Sequence, residues 1–472
     1  MLWTSVRSYL RTRTWTLLTL FLGVLFTSAA WPGWMNGDSG TQWMEASGEF
    51  LVADWHAPQL AWAWSYMNPE NLGPLGPFLI QAMVFFAGLI LIVRWAELRS
   101  RTAAMFVVIT AVVSPFTWGI AWLTKDAFIV SFLSLSTGLF LSSTYLPKKF
   151  FWQIGSGLAI GVSAIGRPYM APVLLLWAVA LFLFITSTQN RSRILLTVLV
   201  PGITVSLLGV FAYPKVVPPY RTFASGAPAI LDVARAECFS RPLETKTPLK
   251  GVIPRGLIVN GEIADVCSNF NPNFWDNISF FGATQSAHIR LPNSEDEADL
   301  LRDAWINAIR EFPNIIFPAK VEAGVALLLT QANCKIPEVT NCEIPELKSS
   351  PSIEGRIGSV SSAVKDFPSR GGVLLALLLA PAQLLSATLP VVHTGLFWIF
   401  LVPSLSLIRY RAQNLSPSKF KKATFLSSLP LIWMTLFTLV TPAVVSRYWL
   451  PAGFMGGIAA LILYLESKKP KV

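Results

Sequence analysis

Long apolar runs separated by short polar stretches dominate the chain. Runs of this kind lie near 14–31, 77–95, 103–123, 126–146, 151–166, 170–187 and 193–213, and again near 393–409, 424–445 and 449–465. About 20 apolar residues are enough for a helix to cross the hydrocarbon core of a bilayer, so each run predicts a spanning helix. Two further stretches are ambiguous. Residues 314–331 carry Lys320 and Glu322, and 373–390 are interrupted by Pro381 and Pro390. A charge at a helix centre costs about 3 kcal/mol on insertion scales, which favours an interfacial helix for 314–331. Ten spans are expected, or twelve if both stretches cross. The first run is longer than a usual signal-peptide core, so it reads as a span, although Thr27-Ser28-Ala29-Ala30 resembles a cleavage site.

Composition sharpens this picture. Of 472 residues, 53% are hydrophobic and 13% charged, with a net charge of +11. Soluble domains carry roughly 25% charge, so a soluble multidomain enzyme, a disordered chain and a nucleic-acid binder are excluded. The 18 Trp and 31 Phe suit interfacial aromatic belts. The fold class expected is an all-α polytopic membrane protein. The connections holding Arg7, Arg94, Lys148, Arg191, Lys419 and Lys468 are strongly basic. The segment 32–76, with Asp38, Glu45, Glu49, Asp54 and Glu70, is acidic. The positive-inside rule then places the basic connections and both termini in the cytoplasm of a multi-pass cell-membrane protein.

Three regions follow. Residues 1–213 form a seven-span membrane module with a first outer loop at 32–76, 214–372 an extracytoplasmic loop or small domain, and 373–472 a second membrane module. All four cysteines fall in the middle region, which predicts two disulfides, Cys238–Cys267 and Cys334–Cys342 by proximity among three possible pairings. Gly157 and Gly161 form a small-residue helix-packing face. There is no internal repeat, which argues against a transporter built from two related halves.

Ionisable groups at span ends are costly and become functional candidates. They are Asp38, Asp54, His56, Lys125, Asp126, Arg167 and Arg447, all on the outer side of this topology. Asp38, in Gly37-Asp38-Ser39-Gly40, reads either as a catalytic carboxylate or as the cap of a helix beginning near Thr41. Asp54 and His56 sit in a Trp-rich loop suited to an interfacial helix. Lys125-Asp126 reads as an intrahelical ion pair or as a cation for a lipid-linked phosphate. Arg167 with Tyr169, and Arg447 with Tyr448, occupy other short outer turns, where Arg residues either snorkel or line an anion pocket. Phosphate-loop, HExxH and GxSxG motifs are missing, and the only histidines are His56, His288 and His393. No metal site and no cofactor are indicated.

Gly37-Asp38-Ser39 with Gln42, then Asp54-Trp55-His56-Ala57-Pro58, Lys125-Asp126 after a Trp, Arg167 opening an outer turn, and Arg447-Tyr448 with Pro451 resemble bacterial multi-pass GT-C superfamily glycosyltransferases. The resemblance implies a GT-C-like helical bundle, a polyprenyl-phosphate-linked sugar as donor, and a glycan, lipid or protein of the cell envelope as acceptor. It implies Asp38 as the catalytic carboxylate, with Asp54, His56, Lys125, Asp126, Arg167, Tyr169, Arg447 and Tyr448 binding substrate. The paired acidic motif of better-known members is absent, since Ser39 and Gly40 follow Asp38. A flippase for a lipid-linked glycan and a non-catalytic envelope scaffold are the competing readings.

Overall fold

The computed structural model describes residues 13–31, 33, 35, 37–48, 52, 57–67, 75–185, 191–212, 226–239, 252–259, 263–268, 270, 288–330, 372–413, 416–440 and 446–468. The chain opens with α1 (Thr14–Ala29), α2 (Gly37–Ser47), α3 (Pro58–Ser65), α4 (Leu75–Glu97), α5 (Arg101–Val113) and α6 (Pro115–Ala121). It continues with α7 (Lys125–Ser142), α8 (Lys149–Ile165), α9 (Ala171–Ile185) and α10 (Arg191–Leu207). Next come α11 (Ala227–Phe239), β1 (Ile258–Val259), α12 (Ile263–Ser268), β2 (His288–Ile289), α13 (Glu295–Glu311) and α14 (Pro313–Leu329). The chain closes with α15 (Gly372–Thr388), α16 (Val402–Arg411), α17 (Pro417–Val440) and α18 (Leu450–Ser467). The two strands pair antiparallel, Ile258 opposite Ile289.

The protein is helical, as expected, but the expected span count is not met. Five helices are long and apolar enough to cross a membrane: Leu75–Glu97, Lys125–Ser142, Pro168–Ile185, Pro417–Leu439 and Arg447–Ser467. Two bent pairs raise the number to at most seven among the described residues. Local chemistry explains the shortfall from ten. The run near 103–123 breaks by 50° between α5 and α6, because Ser114 precedes Pro115 and takes an extended backbone. The runs near 14–31, 151–166 and 193–213 yield helices shorter than 18 residues. The run near 393–409 divides into a π-helical stretch, Leu396–Leu401, and α16.

Close backbone approach holds the bundle together. A Cβ on Gly138 of α7 would lie 2.6 Å from the Gly88 carbonyl of α4, and one on Gly88 would collide with the Ser134–Leu135 backbone. Ser134 Oγ adds a hydrogen bond to the Phe85 carbonyl at 3.1 Å. In the same way Gly161 of α8 rests on the Gly202 carbonyl of α10, the contact its small-residue spacing predicts. At one end of the bundle, buried Glu97 accepts from Trp15 N–H at 3.0 Å and from Thr16 Oγ at 2.6 Å, satisfying the free first turn of α1. Arg99 stacks on Trp95 beside it, its guanidinium carbon 4.2 Å from the ring. At the other end, Gln81 of α4 donates to the Ile120 and Trp122 carbonyls at 2.9 and 2.8 Å, drawing the start of α7 toward α4.

The polar middle region builds a second apolar cluster from Ile230, Val233, Val266, Ile289, Leu301 and Ile316. The Cys238–Cys267 disulfide ties α11 to α12, as predicted. Cys334 and Cys342 lie outside the described residues. Helix α14 turns 98° away from α13. Its lysine is shielded by protein: Lys320 is buried, its Nζ 3.0 Å from Asp232 Oδ1. Asp232 also accepts from Trp305 Nε1 at 3.0 Å and from Arg235 at 3.4 Å. Burial lowers the Arg235 pKa, opposed by the nearby Asp232 and Glu322. Helix α13 starts at a capping box. Ser294 Oγ accepts from Glu297 N–H, and the Glu297 carboxylate accepts from Asn293 N–H at 2.8 Å.

Two outcomes follow. Gly88→Leu should cost at least about 1–3 kcal/mol through overpacking, whereas Gly256→Ala, with nothing within 4 Å of the added carbon, should be neutral. Thermal unfolding in detergent separates them. The hydrogen bonds from Arg290, then from Asn293, hold the Glu297 carboxyl down at about 2, from an ordinary 4.5. A depressed folded-state pKa gives stability that is complete above the ordinary range and is lost as pH falls through about 2. The pH 5 to 2 loss of stability around α13 should therefore be shallower in Glu297→Gln, as read by amide exchange across residues 294–300.

Candidate functional site

Three short turns and one helix converge at the Gln81 end of the bundle. Thr124 caps α7, its Oγ accepting from Ala127 N–H at 3.2 Å, which brings Lys125 and Asp126 into the first turn. Asp126 is 1% exposed, so its charge needs partners. Arg167, at the turn between α8 and the 3₁₀ turn Pro168–Met170, supplies them. Its Nε and a terminal nitrogen meet the two Asp126 oxygens at 2.8 and 2.9 Å, a bidentate pair. The remaining nitrogen donates to Tyr169 Oη at 2.8 Å. The Arg167 guanidinium carbon stands 4.8 Å from the Tyr448 ring centre and 4.9 Å from that of Phe437. Burial disfavours its charge, but Asp126 and then Tyr169 outweigh that cost and hold its pKa well above the ordinary arginine value.

Arg447 enters from the turn Ser446–Trp449, its Nε 3.7 Å from the second Asp126 oxygen. Helix α2 closes the other side. Ser39, Gln42, Leu123, Thr124, Lys125, Asp126 and Arg447 line one cleft. Its interior admits little more than one water-sized group. Gln42 Nε2 also donates to the Ala57 carbonyl at 3.1 Å, tying α2 to the segment after His56.

The sequence-derived candidates therefore separate. Lys125, Asp126 and Arg447 line the cleft. Arg167, Tyr169 and Tyr448 stand behind it, and Arg167 is engaged by Asp126 across 41 residues of sequence. The α2 helix begins at Gly37, so Asp38 falls in its first turn, not in a cap before Thr41. Its neighbour Ser39 faces the cleft. The Asp38 side chain, and Asp54 and His56 altogether, lie outside what is described. Among the described residues, no three His, Cys, Asp or Glu side chains gather as metal ligands.

Two contributors escaped the sequence analysis: Thr124 is a polar residue without a motif, and Phe437 is one of many apolar positions in α17. No known protein family, curated protein or solved structure matches this chain.

Breaking a buried pair by removing one partner costs about 3–5 kcal/mol, because the other charge is left behind. Asp126→Asn and Arg167→Met should each lower the unfolding temperature sharply. The double variant should lose less than the sum of the two. Additive losses in a thermal-shift cycle would show that the two groups do not depend on each other.

Proposed function

We propose that the protein is a membrane glycosyltransferase of the GT-C kind, working at the extracytoplasmic face of the cell membrane. It takes a sugar from a polyprenyl-phosphate-linked donor to a cell-envelope acceptor. The observation that carries this reading is the cleft itself, where the Ser39 and Gln42 face of α2 meets Lys125 and Arg447. A carboxylate-bearing loop helix and cations from two separate turns share one end of a helical bundle. The positive-inside rule supports assigning that end to the outside, since Arg94, Arg99, Arg409 and Arg411 belong to the opposite end.

In this mechanism Lys125 and Arg447 stabilise the phosphate as the bond from the anomeric carbon to the phosphate oxygen breaks. The acceptor hydroxyl attacks the anomeric carbon and passes its proton to Asp38. The phosphate leaves on its lipid. Arg167 does not bind the donor directly: it pairs with Asp126 and holds that carboxylate in the cleft wall. A phosphate is larger than the space now present, so the cleft must widen to admit one.

Reconstituted protein supplied with radiolabelled polyprenyl-phosphate sugar and an envelope extract tests this reading. Lys125→Met should raise the donor KM on the order of tenfold to a hundredfold, from a charge-assisted contact worth about 1.5–3 kcal/mol. Asp38→Asn, which caps a helix about as well as Asp, should lower turnover by about 10² to 10⁴ with unchanged folding. Near-normal transfer by Asp38→Asn would remove the catalytic assignment. No sugar transfer by wild-type protein would remove the function.

A further inference from the structure

The Lys320–Asp232 pair lies away from the cleft, yet one helix joins them. The first half of α14 belongs to the outer apolar cluster through Ile316. One turn later Lys320 meets Asp232 at 3.0 Å, and Asp232 has no exposed surface. The second half of α14 belongs to the membrane bundle. A Cβ on Gly324 would stand 3.3 Å from Thr438 of α17, and Leu327 is fully buried in the main apolar core. Just past the helix end, the Thr330 carbonyl accepts from Trp449 Nε1 at 3.2 Å. Trp449 has no exposed surface and sits edge-on to Phe116, with ring centres 6.3 Å apart. The residues immediately before it are Arg447, a cleft residue, and Tyr448, whose ring lies over Arg167.

We propose that α14 is a strut through which the outer domain sets the position of the Arg447–Tyr448 turn, with Lys320 and Asp232 as positioning residues. A buried charge pair suits this task. Sliding α14 by a fraction of a turn would separate two charges in a dry interior, whereas apolar contacts alone tolerate such slippage. The fastening at Lys320 therefore fixes where Thr330 holds Trp449, and with it how far Arg447 stands from Asp126. Movement of the outer domain on its own core opens or closes the cleft, the motion that entry of a phosphate-sized group requires. This geometry stands whatever reaction the cleft performs.

Amide hydrogen exchange on the full chain in lipid nanodiscs tests the proposal without any substrate. In Lys320→Met, exchange at residues 446–449 should rise about tenfold or more, while 75–97 and 125–142 keep wild-type rates. Should that variant fail to fold, Asp232→Asn/Arg235→Met/Lys320→Met removes Asp232 together with both of its cations, and the same rise is expected. Trp449→Phe cuts the far end of the strut by deleting its hydrogen bond to Thr330. Combining Trp449→Phe with Lys320→Met should then add little further exchange at 446–449. Wild-type exchange at 446–449 in the folded Lys320 variants would overturn the strut, even if 227–239 loosened. So would additive effects of the two substitutions. Loss of transferase activity with unchanged exchange would count against the strut and leave the glycosyltransferase reading standing.

Discussion

A carboxylate that water does not reach is the constraint on which the Gln81 end of this bundle rests. Asp126 is 1% exposed, and taking an ion of its size out of water costs several kcal/mol even after relaxation. Only good geometry repays that cost. Arg167 provides two parallel hydrogen bonds, and its own burial is offset by Tyr169 and by the faces of Phe437 and Tyr448. One contact thus fastens the start of α7, the α8–α9 turn, the end of α17 and the Ser446–Trp449 turn. Arg447 approaches the same carboxylate only to 3.7 Å. Arg167 is thus the main partner of Asp126, and Arg447 the more distant one.

The opposite end is built by a different device. There Glu97 is buried against the first turn of α1, and cations stack on rings: Arg99 on Trp95, Arg409 and Lys468 on Tyr464. Guanidinium groups that pack flat on aromatic faces remain near the membrane surface and need no deep cavity. Between the two ends the helices approach through glycine, because lipid offers no hydrophobic drive to bring apolar helices together. Rigid helix contacts in the middle leave the turns as the places where position can be adjusted.

How much of this was legible follows from what a linear pattern encodes. Hydropathy located the helices, because a helix must bury or shield its own backbone polar groups wherever water is absent. It overstated the spans, because the bend at Ser114 and the π-helical stretch at Leu396–Leu401 depend on backbone geometry that hydropathy does not weigh. The Cys238–Cys267 bond was readable from proximity alone. Lys125, Asp126 and Arg447 stood out because charges at span ends are expensive. Their grouping with Arg167 was readable as three short turns at one end of the bundle, but the choice of partner was not. Asp126 bonds Arg167 across 41 residues instead of its neighbour Lys125, and nothing local distinguishes those outcomes. Lys320 shows the same limit from the other side. Its cost was legible and its partner was not, since Asp232 lies 88 positions earlier on a helix that only the fold brings near.

Two buried carboxylates therefore bracket α14. Asp232 pairs with a lysine and accepts from an arginine and the Trp305 indole; Asp126 accepts from one arginine and approaches another. Each is satisfied by groups from more than one element, so neither pair can be changed without moving several helices together. The centres differ in what surrounds them. Asp232 lies in a closed core with no cleft residue beside it, whereas Asp126 forms part of a cleft wall shared with Ser39 and Gln42. A closed centre can only hold position, while a centre at a cleft wall can also respond to what enters. The two apolar clusters meet along the helix whose two halves belong to these two environments, and this division of roles follows from where each carboxylate is buried.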